Sequence, residues 1–267
     1  MPRKPRIEYA GAVYHVMSRG DHGGGIFLDK QDYDLFLGRT EEVCRRSGWA
    51  VHSYVLMPNH FHWLVETAEA NLVAGMKWFL GAYSQGFNAR HGRRGHVFQG
   101  RYKALPVESG GGNYFETVST YIHLNPARAG LLKGEQPDLA KYAWSSYPAY
   151  TAGRKSRPGW LKTGRVLSSL GLEDTGEGRR RYAEYMGGRL SELRTRSGRR
   201  MNKEMWDQIR WGWCIGGEEF QEKILERVGA RMEGKERDSY SGEEADRYGE
   251  KEAEKLVRKG LKALGIR

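Results

Sequence analysis

The stretch AVHSYVLMPNHFHWLVE, residues 50–66, decides the fold. It reads as two short strands joined by a tight turn at Met57-Pro58-Asn59. Side chains alternate faces along an extended chain, so His60, His62 and Leu64 share one face of the second strand. Phe61, Trp63 and Val65 share the other. The large apolar residues need a core, and the two imidazoles therefore point together from the opposite side, about 6–7 Å apart along the strand. Neutral imidazole is the commonest nitrogen ligand of divalent metals, which makes the pair half of a metal site. On spacing alone, a chance His-x-His among eight histidines is an equally good account.

Working outward, residues 1–12 form a basic arm leading into a strand at 12–17 (AVYHVM). Ser18-Arg19-Gly20 and Gly23-Gly24-Gly25 read as a mobile connection and match no phosphate-binding loop pattern. Residues 29–47 are helical, since Tyr33, Phe36, Leu37, Thr40 and Val43 recur at spacings of three and four, with Asp29 or Asp32 to cap the start. A second helix at 71–90 buries Leu72, Met76, Phe79, Leu80 and Tyr83. The segment HGRRGHVFQGRYKALPV turns strand-like towards its end. In the helix at 113–125, Phe115, Val118 and Ile122 form one face, while Tyr114, Tyr121 and Asn125 lie close to a second. Pro126 is expected to end or kink that helix, with Asn125 capping the turn that follows. The order strand, helix, two strands, helix, strand, helix gives an α+β fold, an antiparallel sheet with helices on one face.

Composition narrows the partner. The 267-residue chain carries 44 Lys+Arg against 33 Asp+Glu, a net charge of +11 and a pI near 9.6. A polyanion, nucleic acid above all, is the economical explanation. No acidic residue occurs from Ala70 to Val107, where Lys77, Arg90, Arg93, Arg94, Arg101 and Lys103 stand among Phe98 and Tyr102. Such a mixture suits a single strand, with cations on phosphates and rings on bases. Cys44 and Cys214 form no CxxC, which points to a reducing compartment. No apolar run approaches the ~20 residues of a membrane span and no secretory signal is evident, so the cytoplasm is expected. Three regions follow: an α+β domain at 1–150, a basic and mainly helical extension at 151–232, and a charged tail at 233–267, partly disordered or solvated helix.

The chemistry comes from combining the pieces. If the helix at 113–125 lies beside the hairpin, Tyr121 and Asn125 project one turn apart towards the two histidines. An Asn125 oxygen would complete a His60, His62, Asn125 set with open positions, which suits Mg²⁺ or Mn²⁺ with a phosphate better than structural Zn²⁺. The Tyr121 phenol would serve as nucleophile and form a covalent phosphotyrosine. Tyr102 and Tyr114 are weaker candidates for that role, His15 is expected to pack on the first strand, and His123 is expected to be structural.

At this point the chain resembles a known family. Pro58-Asn59-His60-Phe61-His62, followed by Tyr121-Ile-His-Leu-Asn125-Pro126-Ala-Arg128-Ala-Gly130, is similar to the HUH single-tyrosine transposases, within them to the repeat-associated group of insertion-sequence descent. The opening Tyr9-Ala-Gly-Ala-Val-Tyr14-His15-Val-Met-Ser-Arg19-Gly20 and the segment Phe98-Gln-Gly-Arg101-Tyr-Lys103 extend the resemblance over about residues 5–150. It implies a ferredoxin-like sheet, cleavage of single-stranded DNA next to a hairpin through a 5′-phosphotyrosine, and a palindromic repeat as partner, the protein acting as monomer or homodimer. Carried over by position, His60 and His62 hold the metal, Tyr121 attacks, and Asn125 stands where other members place glutamine. Arg19, Arg93, Arg94, Arg101, Lys103 and Arg128 are the expected DNA contacts. Two other classes compete: a non-catalytic single-strand-binding or regulatory protein with a vestigial site, and a metallophosphoesterase with a water nucleophile. The second lacks nearby aspartates to hold two metals.

Overall fold

The computed structural model describes residues 4–132, 134, 137–234 and 239–263. The first three residues of the basic arm, and 235–238 and 264–267 of the charged tail, lie outside the described residues.

The hairpin forms as its alternation requires. β2 (Trp49–Met57) and β3 (His60–Thr67) pair antiparallel across the two-residue turn, Met57 opposite His60. β1 (Ala12–Arg19) lies on the other side of β3, with Met17 opposite His62 and Arg19 opposite His60. β4 (Lys103–Val107) pairs with β1, Lys103 opposite Met17, so the strand order is β2-β3-β1-β4. Partners across antiparallel strands share a face. Arg19 and His60, and the row His62, Met17 and Lys103, therefore stand on the same side of the sheet.

The two faces bury different helices. Phe61, Trp63 and Val65 pack against α1 (Lys30–Ser47) and α2 (Leu72–His91), where Phe36 meets Phe61 and Trp63, and Phe79 meets Phe61, at aromatic edge contacts. α1 starts on a capping box: the Asp29 carboxylate accepts from the Asp32 amide while Asp32 accepts from Asp29. Arg90 of α2 pairs with both carboxylates. These are the helices expected on one face. α3 (Tyr114–Arg128) takes the opposite face, where Val118, Tyr121 and Ile122 pack with Val13, Val55 and Leu64.

Two expectations need correction. Ser18 and Arg19 belong to β1 and not to a loop, because Arg19 finds a ladder partner in His60. The glycines that follow are pinned: Gly20 donates to the Asn59 carbonyl, and a Cβ at Gly20 would fall 1.9 Å from the Gly24 oxygen, so only glycine fits. Nor does Pro126 end α3. It lies in the last turn, where its missing N–H forfeits one helical bond, and burial of Ile122, Leu124, Asn125 and Pro126 itself holds the helix through to Arg128. Asn125 is thus inside the helix, its carbonyl accepting from Ala129.

The C-terminal part is helical and grips the sheet. α4 (Tyr147–Thr151), α5 (Gly164–Ser169), α6 (Gly176–Arg194), α7 (Arg196–Met201), α8 (Lys203–Trp211), α9 (Glu218–Met232) and α10 (Glu243–Ala263) follow one another. Trp206, Ile209 and Ile215 join the α3 side of the sheet core. Trp213, Cys214 and Ile224 form a small separate cluster. His123 ties α3 to this part, its ring nitrogens 2.8 Å from the Tyr182 hydroxyl and 2.7 Å from the Ser146 hydroxyl. Beyond β2, Leu161 and Ser145 bridge to Val51 and Val55; beyond β4, Ile215 bridges to Val107. The Ile215 amide donates to the Pro106 carbonyl, and its carbonyl accepts from Glu108, both at 2.8 Å.

Candidate nucleic-acid-processing site

On the α3 side of the sheet lies an open cleft of about 650 Å³. β3 supplies His60 and His62, β1 supplies Met17, Ser18 and Arg19, and β4 with its approach supplies Gln99, Arg101 and Lys103. α3 supplies Tyr121, Asn125 and Arg128, spaced four and three residues apart so that all three face one way. The far wall is Arg210 and Trp211, at the end of α8. Five side chains of this lining are cationic, and among the described residues none is acidic.

The distances are those of direct packing. The rings of His60 and His62 lie 5.1 Å apart and perpendicular. The Tyr121 ring stands edge-on to His62 at 5.7 Å. Arg128 lies over two rings, 4.6 Å from that of Tyr121 and 4.3 Å from that of Trp206. Tyr121 borders the cleft with only 3% of its surface exposed.

Electrostatics keep the imidazoles neutral. Burial, then the charges of Arg210 and Arg19, holds His60 down to about 4. Burial, followed by His15, His60 and the two arginines Arg128 and Arg210, puts His62 well below the usual histidine range. Lys103 is lowered to about 8, mainly by burial and then by Lys4, and its Nζ donates to the Arg210 carbonyl at 2.9 Å. His60 donates from Nδ1 to the Asn59 side-chain oxygen at 2.7 Å, because that oxygen can only accept. Its Nε2 therefore keeps a lone pair. The Asn125 amide nitrogen is buried with no partner, and the amide can present either end. Two neutral imidazoles and an unsatisfied amide are a donor set that fits a divalent cation with oxygen-rich remaining positions.

Of the residues expected from the sequence, His60, His62, Tyr121, Asn125, Arg19, Arg101, Lys103 and Arg128 line this one cleft. Arg93 and Arg94 lie apart, lining a smaller hollow with Phe87 and His96. Three groups were missed as site components. His15 is fully buried, its Nε2 2.9 Å from His62 Nδ1. Trp206 covers Arg128, and Arg210 with Trp211 closes the cleft. No local pattern could announce them, because each reaches its neighbour across 47 residues or more of chain. A further group of ligand-capable side chains, Asp29, Asp32 and His91, sits at the start of α1. Arg90 and backbone amides already occupy those carboxylates, so the group reads as an ion-pair and capping network.

Residues 9–125 match the family model described as IS200-like transposase. Over these residues, somewhat under half of its length, the chain is similar to the IS200-like transposases. The match contains both histidines, Tyr121 and Asn125, and stops short of Arg128, α8 and the rest of the cleft's far wall. The match points to a transposase-type, DNA-processing protein, and the cationic cleft is a surface consistent with such work. A solved structure of a REP-associated tyrosine transposase bound to a REP hairpin is similar at 16% identity, over 61% of this chain and 92% of that one, with a TM-score of 0.47. No curated protein matches the chain. Among its described residues, no helix is long and apolar enough to cross a membrane.

Proposed function

We propose that the protein nicks and rejoins single-stranded DNA beside a hairpin, with Tyr121 as nucleophile. One observation carries the reading: Tyr121, His60, His62 and Asn125 border a single cleft that holds five cationic side chains and, among the described residues, no carboxylate. A phosphodiester could lie there without charge repulsion, flanked by Arg19, Arg101, Lys103 and Arg128. The Tyr121 hydroxyl oxygen attacks phosphorus, a new phosphotyrosine ester forms on the 5′ side, and the bond to the 3′ oxygen breaks. The phenol gives up its proton and the departing 3′ oxygen gains one, so the step balances without a co-reactant. Rejoining is the reverse.

His60, His62 and Asn125 would hold Mg²⁺ or Mn²⁺, which when bound polarises the phosphate and stabilises the leaving oxygen. Neutrality of both histidines at physiological pH is what such a role requires. Arg128, held between Tyr121 and Trp206, keeps a positive charge against the phenol ring.

The test uses full-length protein, Mn²⁺ and labelled single-stranded oligonucleotides carrying the imperfect palindromes that flank its own gene, resolved on denaturing gels. A slow-migrating adduct is expected, absent with Tyr121→Phe and with His60→Ala. Cleavage without an adduct would favour a water nucleophile. Tight binding with neither adduct nor cleavage would leave a DNA-binding protein with a vestigial site.

A further inference from the structure

Trp211 is 70% exposed, whereas Trp49, Trp63, Trp160, Trp206 and Trp213 are buried. Its position is fixed from below. Trp206 and Ile209 anchor α8 in the sheet core, and the Lys103 ammonium holds the carbonyl of Arg210. The Arg210 guanidinium lies 5.7 Å from the Trp211 ring, and both residues border the cleft. An indole presented to water at the rim of a cation-lined cleft has the make-up of a stacking platform: a flat π-face for a base, with charge beside it for the phosphate. Duplex bases are already stacked, so the match is to an unpaired nucleotide. Building on the reading above, we infer that Trp211, with Arg210, is a binding subsite for one unpaired base of the single strand leading from the hairpin into the cleft.

The test needs no catalysis. Fluorescence anisotropy in EDTA measures affinity for a hairpin with a single-stranded flank, for wild type, Trp211→Ala and Trp211→Phe. Loss of one stacked base predicts about 5- to 150-fold weaker binding for Trp211→Ala. Trp211→Phe should stay within a few-fold of wild type. On a flank made of abasic spacers the alanine variant and wild type should bind alike. Equal affinity of Trp211→Ala and wild type for the normal flank overturns the inference, as does a wild type indifferent to abasic spacers. Failure to form a Tyr121 adduct would sink the nuclease reading and leave these binding results standing.

Discussion

Arg128 stands between two rings and next to the phenol that the reading above makes reactive. Arg128→Leu keeps much of the aliphatic packing and removes the charge. Folding stability should drop by only about 0.5–1 kcal/mol, the scale of a cation–π contact, in urea denaturation. Adduct yield should fall at least about tenfold, the cost of one charge-assisted contact. A full adduct yield would show that the cation is packing alone. At this scale the sequence was legible wherever two groups lie within one period of one element. His60 and His62 share a strand face, and Tyr121, Asn125 and Arg128 share a helix face. His15 was read as a packing residue because nothing near it in the chain mentions His62; register between β1 and β3 creates that pair.

Elements were read best where a cap or an alternation marks them. α1 begins at the Asp29 cap, and the hairpin turns at Pro58-Asn59, both as the sequence implied. The end of α3 was misjudged because proline's local cost was weighed without the burial that offsets it. Gly20, read as part of a loose connection, is a tight crossing between β1, the Gly24 carbonyl and the start of β3. Gly20→Ala should destabilise the protein by about 1–3 kcal/mol, as overpacking does, lowering the urea midpoint without changing the slope. An unchanged midpoint would mean that the crossing relaxes freely. α8 posed the opposite difficulty. Its Trp206 and Ile209 show helical spacing plainly, but an apolar stripe does not say which surface it covers, and here it covers the sheet face that holds the cleft.

For the molecule as a whole, the basic composition pointed to a polyanion, and the positive cleft is one place where that charge gathers. Its response to acid follows from three buried histidines. Burial lowers His15 and His123 to about 3 and His62 well below the usual value, so the folded protein keeps them neutral while the unfolded chain protonates near 6.5. Stability is therefore complete above pH 6.5 and declines as the pH falls towards 3, by about 1.4 kcal/mol per pH unit for each histidine. Urea midpoints should decrease from pH 7 to pH 5, and a flat profile would contradict the burial of neutral rings. The bridges of Leu161 to β2 and of Ile215 to β4 carry a separate consequence, one invisible in any local pattern. They cover both outer strands of the sheet with C-terminal chain. A fragment cut at residue 150 would keep the Ser145 bridge to β2 but lose those at Val51 and Val107, baring part of each edge, and bare strand edges recruit other strands. Such a fragment should aggregate with rising concentration, seen as growing light scattering, although it contains the whole family-matching segment. A chimera that replaces the C-terminal part must bring its own residues to lie where Leu161 and Ile215 do.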